Sequence, residues 1–203
     1  MPQDGKSTTA ANLAIALAQQ GTRTLLVDGD LRRGILGGLF GVSAKPGLSN
    51  VLVDECTTHD TIRRIEVGKD VTLDLLPAGV FPPNPAELIG SDRMEALLRK
   101  LEEHYQAVII DTAPLNLVTD ASVVGVRAEG VILVVRAAVT ERGAVRYAID
   151  QLRGVGAHVL GAILNGVVHS RDARYGTGYG AYYADYRGYY KYGYKAREEG
   201  AGV

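Results

Sequence analysis

Three runs of this chain, TRTLLVD (22–28), AVIID (107–111) and GVILVV (130–135), each carry an unbroken apolar stretch, at residues 25–27, 107–110 and 130–135. A strand with water on one face alternates between apolar and polar residues. A strand that is apolar throughout needs cover on both faces, and a parallel sheet flanked by helices supplies it. The segments between the runs have helical spacing. STTAANLAIALAQQ (7–20) reads as a helix stopped by Gly21, DRMEALLRKLEEHY (92–105) is amphipathic, and TERGAVRYAIDQLRGVG (140–156) is a third helix. VTLDLLPAG (71–79) and HVLGAILNGV (158–167) add strand candidates. This alternation predicts an α/β fold with a doubly wound, mainly parallel sheet over residues 1–169. FPPNPAE (81–87) and the stretch after Pro46 read as insertions within it.

Composition narrows the setting. A net charge of −1 gives the whole chain no pull towards nucleic acid or anionic lipid. Cys56 is the single cysteine, so no internal disulfide forms, which suits a reducing cytoplasm. The apolar runs are strand-length, and Gln3, Asp4 and Lys6 stand where a secretory apolar segment would begin. His59, His104, His158 and His169 are scattered without metal-ligand spacing and read as surface or boundary residues. Cys56 has no motif partner and reads as inert, and Tyr105 and Tyr147 sit in helical patterns as core or boundary residues.

After His169 the pattern stops. Nine of the eleven tyrosines follow: Tyr175, Tyr179, Tyr182, Tyr183, Tyr186, Tyr189, Tyr190, Tyr192 and Tyr194. The stretch from Tyr175 to Tyr194 contains no Leu, Ile, Val or Phe. With no aliphatic stripe to bury, the entropy of ordering it goes unopposed, so residues 170–203 are expected to form a flexible, disordered tail displaying phenolic hydroxyls. Stacking of Tyr and Arg on single-stranded nucleic acid is the minor reading, since the tail's charge is nearly balanced.

The opposite end carries the chemistry. Gly5-Lys6-Ser7 leads straight into the first helix, which matches the end of a phosphate loop, G-x-x-x-x-G-K-[ST], whose first glycine falls one position before Met1. Gly5 lets backbone amides close on phosphate oxygens, Lys6 reaches the β- and γ-phosphates, Ser7 ligates Mg²⁺, and the helix N-terminus adds partial positive charge. Asp28 and Asp30 follow one strand run and Asp111 ends another. Ligands of open α/β sheets bind at such carboxyl ends, so three aspartates and GKS point together to a P-loop nucleotide site.

DGKSTTAANLAIALA, LLVDGDLRR and VIIDTAP resemble the Walker A, A′ and B motifs of the bacterial tyrosine kinases, which control capsular and extracellular polysaccharide. GLSNVL (47–52), LLPAG (75–79), PPNPAELI (82–89), TDA (119–121) and VLGAILNGV (159–167) are similar to further blocks of that family, and the tyrosine cluster is its most distinctive mark. The resemblance implies that Asp4, Gly5, Lys6, Ser7, Thr8 and Arg32 bind nucleotide and that Asn165 touches the adenine. It assigns Mg²⁺ to Ser7, Asp30 and Asp111, and makes Lys6, Asp28, Asp30 and Asp111 the catalytic set. Asp28 would be the base or orienting carboxylate facing the incoming hydroxyl.

The implied function is an ATP- and Mg²⁺-dependent protein-tyrosine autokinase that phosphorylates its own tail in trans, within a ring-like homo-oligomer held by tail-to-site contacts. Some thirty residues of flexible chain have a root-mean-square span of roughly 30 Å, enough to reach a neighbour. The resemblance also implies a membrane activator, separate or fused upstream, that brings a cytoplasmic kinase to the inner face of the membrane. The rival is a partitioning-type ATPase switch or scaffold. Those carry a second lysine five residues before the Walker lysine, and here that position is Met1. The resemblance further implies a strand before the phosphate loop, so Met1 is expected to be an internal residue of a longer protein.

Overall fold

The structure is a computed structural model that describes residues 4–167. Contacts divide the chain into two units, residues 1–166 and 167–203. The fold below is that of the first unit; the tyrosine segment lies outside the described residues.

Four strands form the larger sheet: β1 (Thr24–Asp28), β2 (Arg63–Gly68), β3 (Val71–Leu76) and β4 (Ala107–Asp111), in the order β2-β3-β1-β4. β3, β1 and β4 are parallel, while β2 is antiparallel to β3. Every residue of β1 is buried, as its apolar run predicts. Leu25 and Val27 face one core with Leu76, and Leu26 faces the other with Leu73 and Leu75.

Helix α1 (Lys6–Gln19) covers the Leu26 side. It buries Ala11, Ala14 and Ala18, small side chains that let the helix lie close on the sheet. Gly21, at φ +84°, ends it in the left-handed conformation that favours glycine. The short helices α2 (Leu36–Leu39), α3 (Leu48–Leu52), α4 (Thr58–Thr61) and α5 (Pro85–Gly90) occupy the connections. α6 (Asp92–Glu102) packs Met94, Leu97, Leu98 and Leu101 onto the Leu25 side, and its N-cap Ser91 accepts a hydrogen bond from the Met94 amide.

α7 (Asp120–Arg127) and α8 (Arg142–Gly154) alternate with β5 (Val131–Arg136) and β6 (Val159–Asn165). β5 and β6 pair in parallel as a separate two-stranded sheet. Between β4 and β5 lies a cavity of about 240 Å³. Val108, Ile109 and Ile110 line it, as do Ile132, Leu133, Val134 and Val135. Consecutive strand residues point to opposite faces, so a cavity touched by both sets opens on strand edges. This explains why β4 and β5, apolar like β1, are only partly buried.

β2 stands in the stretch that sequence reading treats as an insertion. Its alternation of half-buried Arg63, Ile65 and Val67 with exposed Arg64, Glu66 and Gly68 is that of an edge strand.

Candidate active site

Gly5 is the N-cap of α1, with φ +86°. No side chain caps the helix and no acidic residue sits in its first turn. The first amides of a helix have no intrahelical acceptor, so this uncapped, positive end fits an anion. A Cβ on residue 5 would collide with the Asn165 side-chain amide. That amide, at the end of β6, donates to the Asp4 carbonyl at 2.9 Å, and the Asn165 Oδ1 accepts from the Gly166 amide at 2.8 Å. Asp4 is buried, and Thr140 Oγ1 donates to its Oδ1 at 3.2 Å. The segments after β5 and β6 thus hold the entry to the phosphate loop.

The register of β1 and β4 sets Asp28 opposite Asp111 at the carboxyl ends of adjacent strands, and the Gly29 amide donates to the Asp111 carbonyl at 2.8 Å. Asp28 is 1% exposed. The Leu36 amide donates to its Oδ2 at 2.9 Å, while its Oδ1 is buried with no partner among the described residues. Burial, with the charges of Asp111 and Asp30, pushes Asp28 up to about 7 against the pull of the Leu36 amide. Burial also raises Asp111 above the ordinary carboxylate range, opposed by the Ser7 hydroxyl and the Lys6 ammonium. Asp30 accepts the Arg32 and Arg33 amides on Oδ1, at 3.1 and 2.9 Å.

Among the described residues no group of three His, Cys, Asp or Glu side chains is placed to hold a metal ion. The set fits Mg²⁺, which binds through one or two carboxylates plus waters and substrate phosphates; Ser7, Asp30 and Asp111 are the side chains that could hold it. The orphaned Asp28 Oδ1 and the uncapped α1 fit a site completed by a ligand.

The Arg32 guanidinium is engaged by Asp120. Its Nε donates to Asp120 Oδ2 at 2.9 Å and its Nη2 to Oδ1 at 3.2 Å. Asn165 spends both ends of its amide on backbone, so the structure shows it holding the loop. Thr8 lies exposed on α1. The nine tail tyrosines lie outside the described residues. Among the described residues, no helix is long and apolar enough to cross a membrane.

Residues 4–151 match the family model of an AAA domain. Tyrosine-protein kinase YwqD of Bacillus subtilis is 38% identical over 175 residues, 86% of this chain and 73% of that protein. The chain belongs to the bacterial tyrosine kinases. The solved kinase domain of the Escherichia coli tyrosine kinase ETK superposes on this bacterial tyrosine kinase with a TM-score of 0.80, at 36% identity, over 88% of this chain and 69% of that one. The septum site-determining protein MinD of Pyrococcus horikoshii, solved with Mg-ADP, gives 0.67 at 27% identity over 84% and 69%. Kinase relatives therefore lie nearer than that ATPase, and the Walker A, A′ and B reading stands on a P-loop α/β fold.

Sequence reading names the carboxylates and GKS that this kinase brings to one end of its sheet. It overlooks Thr140 and Asp120. TDA (119–121) stands out as a block, yet nothing in the sequence pairs it with Arg32, 88 residues away.

Proposed function

We propose that this kinase transfers the γ-phosphoryl group of ATP to tyrosines of the 175–194 segment on another copy of itself. The observation that carries this is the meeting of GKS with Asp28, Asp30 and Asp111 at the carboxyl ends of β1 and β4. Gly5 and the first amides of α1 cradle the phosphates, and Lys6 reaches the β- and γ-oxygens. When bound, Mg²⁺ would supply neutralisation of the developing phosphate charge. Ser7, Asp30 and Asp111 would hold it.

The tyrosine oxygen forms its bond to the γ-phosphorus as the bond to the β–γ bridging oxygen breaks, so ADP leaves. A free phenol has a pKa of about 10 and needs a base. Asp28 takes that proton: its Oδ1 lacks a donor and its pKa of about 7 suits neutral pH. Each phosphotyrosine adds about −1.5 to −2 charges, so a fully modified tail is repelled from the phosphate site and a ring-like oligomer loosens. A membrane activator, separate or fused, would place the kinase beside the machinery of capsular or extracellular polysaccharide.

Incubation with Mg²⁺-ATP and phosphotyrosine mapping by mass spectrometry tests the reading. Phosphate on the cluster, lost in Lys6→Met, supports it. ATP hydrolysis that leaves every tyrosine bare would replace it with a non-kinase switch.

A further inference from the structure

Asp120 is 1% exposed, and the guanidinium fork of Arg32 meets both of its carboxylate oxygens. Burying a carboxylate is costly, and a two-point fork fixes direction as well as distance. Arg32 is pinned at its other end too, because its backbone amide donates to Asp30 Oδ1. Between them Leu31 is buried in the core. Leu31 sets how deep the loop sits; the Arg32 fork sets how it is rotated. Asp120 begins α7, at the end of the segment that leaves Asp111, so the pair ties the loop after β1 to the loop after β4.

We propose that Asp120 is a positioning residue: through Arg32 it holds the loop from Gly29 to Gly34 so that Asp30 stays aimed at the metal–phosphate site beside Asp111. Arg32 then serves the site from behind and leaves nucleotide contact to the phosphate loop. This rests on the proposed role of Asp30 in holding Mg²⁺.

The test compares the full chain with Asp120→Asn and Arg32→Lys, using a fluorescent ATP analogue with Mg²⁺ and with EDTA, and amide exchange of the nucleotide-free protein. Removing a group that orients a metal ligand costs about 10–100-fold in metal affinity or activity. The gain in nucleotide affinity on adding Mg²⁺ should therefore fall about tenfold in Asp120→Asn, while metal-free affinity holds within about twofold. Exchange at the Arg32 and Arg33 amides should quicken in the same variant. Arg32→Lys, which keeps the charge but loses the fork, should match it, and the double variant should be no worse than the single.

A full Mg²⁺ gain in Asp120→Asn, or effects of the two substitutions that simply add, overturns the proposal. If Asp120→Asn does not fold, Arg32→Lys decides by the same Mg²⁺ gain. If the parent labels no tyrosine yet its Mg²⁺ gain depends on Asp120, the kinase reading fails and this one stands.

Discussion

The Leu36 amide donates to Asp28 Oδ2 at 2.9 Å, so a carboxylate of the site also fixes where α2 begins. Asp28 is pushed up to about 7 in the fold, from an ordinary value of 3.8. Between those values the unfolded chain is ionised while the folded chain keeps its proton. Nucleotide-free stability should thus fall as pH rises from about 4 to about 7, then level off. Asp28→Asn keeps an acceptor for Leu36 and should flatten that slope, leaving the variant about 2–4 kcal/mol more stable than the parent at pH 8. Urea unfolding at pH 5 and pH 8 measures it; an unchanged slope in the variant excludes Asp28 as the titrating group. Phosphotyrosine formation should be lost throughout.

Gly5→Ala should cost both stability and nucleotide binding. The left-handed backbone disfavours alanine by roughly 1–2 kcal/mol. The added methyl also strikes the Asn165 amide. Affinity for Mg²⁺-ATP should drop tenfold or more, about 1.4 kcal/mol. Asn165→Ala combined with Gly5→Ala removes the clash but leaves the backbone term, so titration calorimetry should show partial recovery only.

Asn50 is a separate joint. Its Oδ1 accepts the Gly47 amide at 3.1 Å and the Val80 amide at 3.3 Å, and its Nδ2 donates to Glu55 at 2.7 Å. Asn50→Ala strands two amides beside the close approach of Gly47 and Gly79. A loss of about 2–3 kcal/mol is expected in chemical denaturation, while Asn50→Asp, which keeps the acceptor, should lose less.

The edges of β4 and β5 face a common cavity, which Asp4 and Lys6, at the start of α1, also line. An apolar segment packed along these edges would cover them. A version of the chain with five apolar residues added upstream of Met1 should gain at least about 10 °C in Tm. Amide exchange of β4 and β5 should slow in that version. The same addition with alternating lysines should do neither.

Much of this molecule is legible in its sequence. β1, β3 and β4 declare themselves by apolar runs, and α6 by its spacing, because burial on both faces or one stripe leaves a local record. GKS and the strand-end aspartates are local too. What escapes is relational. Arg32 carries the same letters whether it meets a phosphate or Asp120, and Asn165 reads equally as a base contact or a backbone clamp. β2 does carry a period-two signal, but its arginines and glutamate dilute the apolar content that marks the other strands.

The antiparallel β2, with Arg64 and Glu66 exposed on it, closes the larger sheet on the side away from β4. Growth of that sheet is therefore one-sided. The β4 edge, by contrast, borders the cavity that Asp4 and Lys6 also line. What packs along that edge is therefore felt at Asp111 and the phosphate loop.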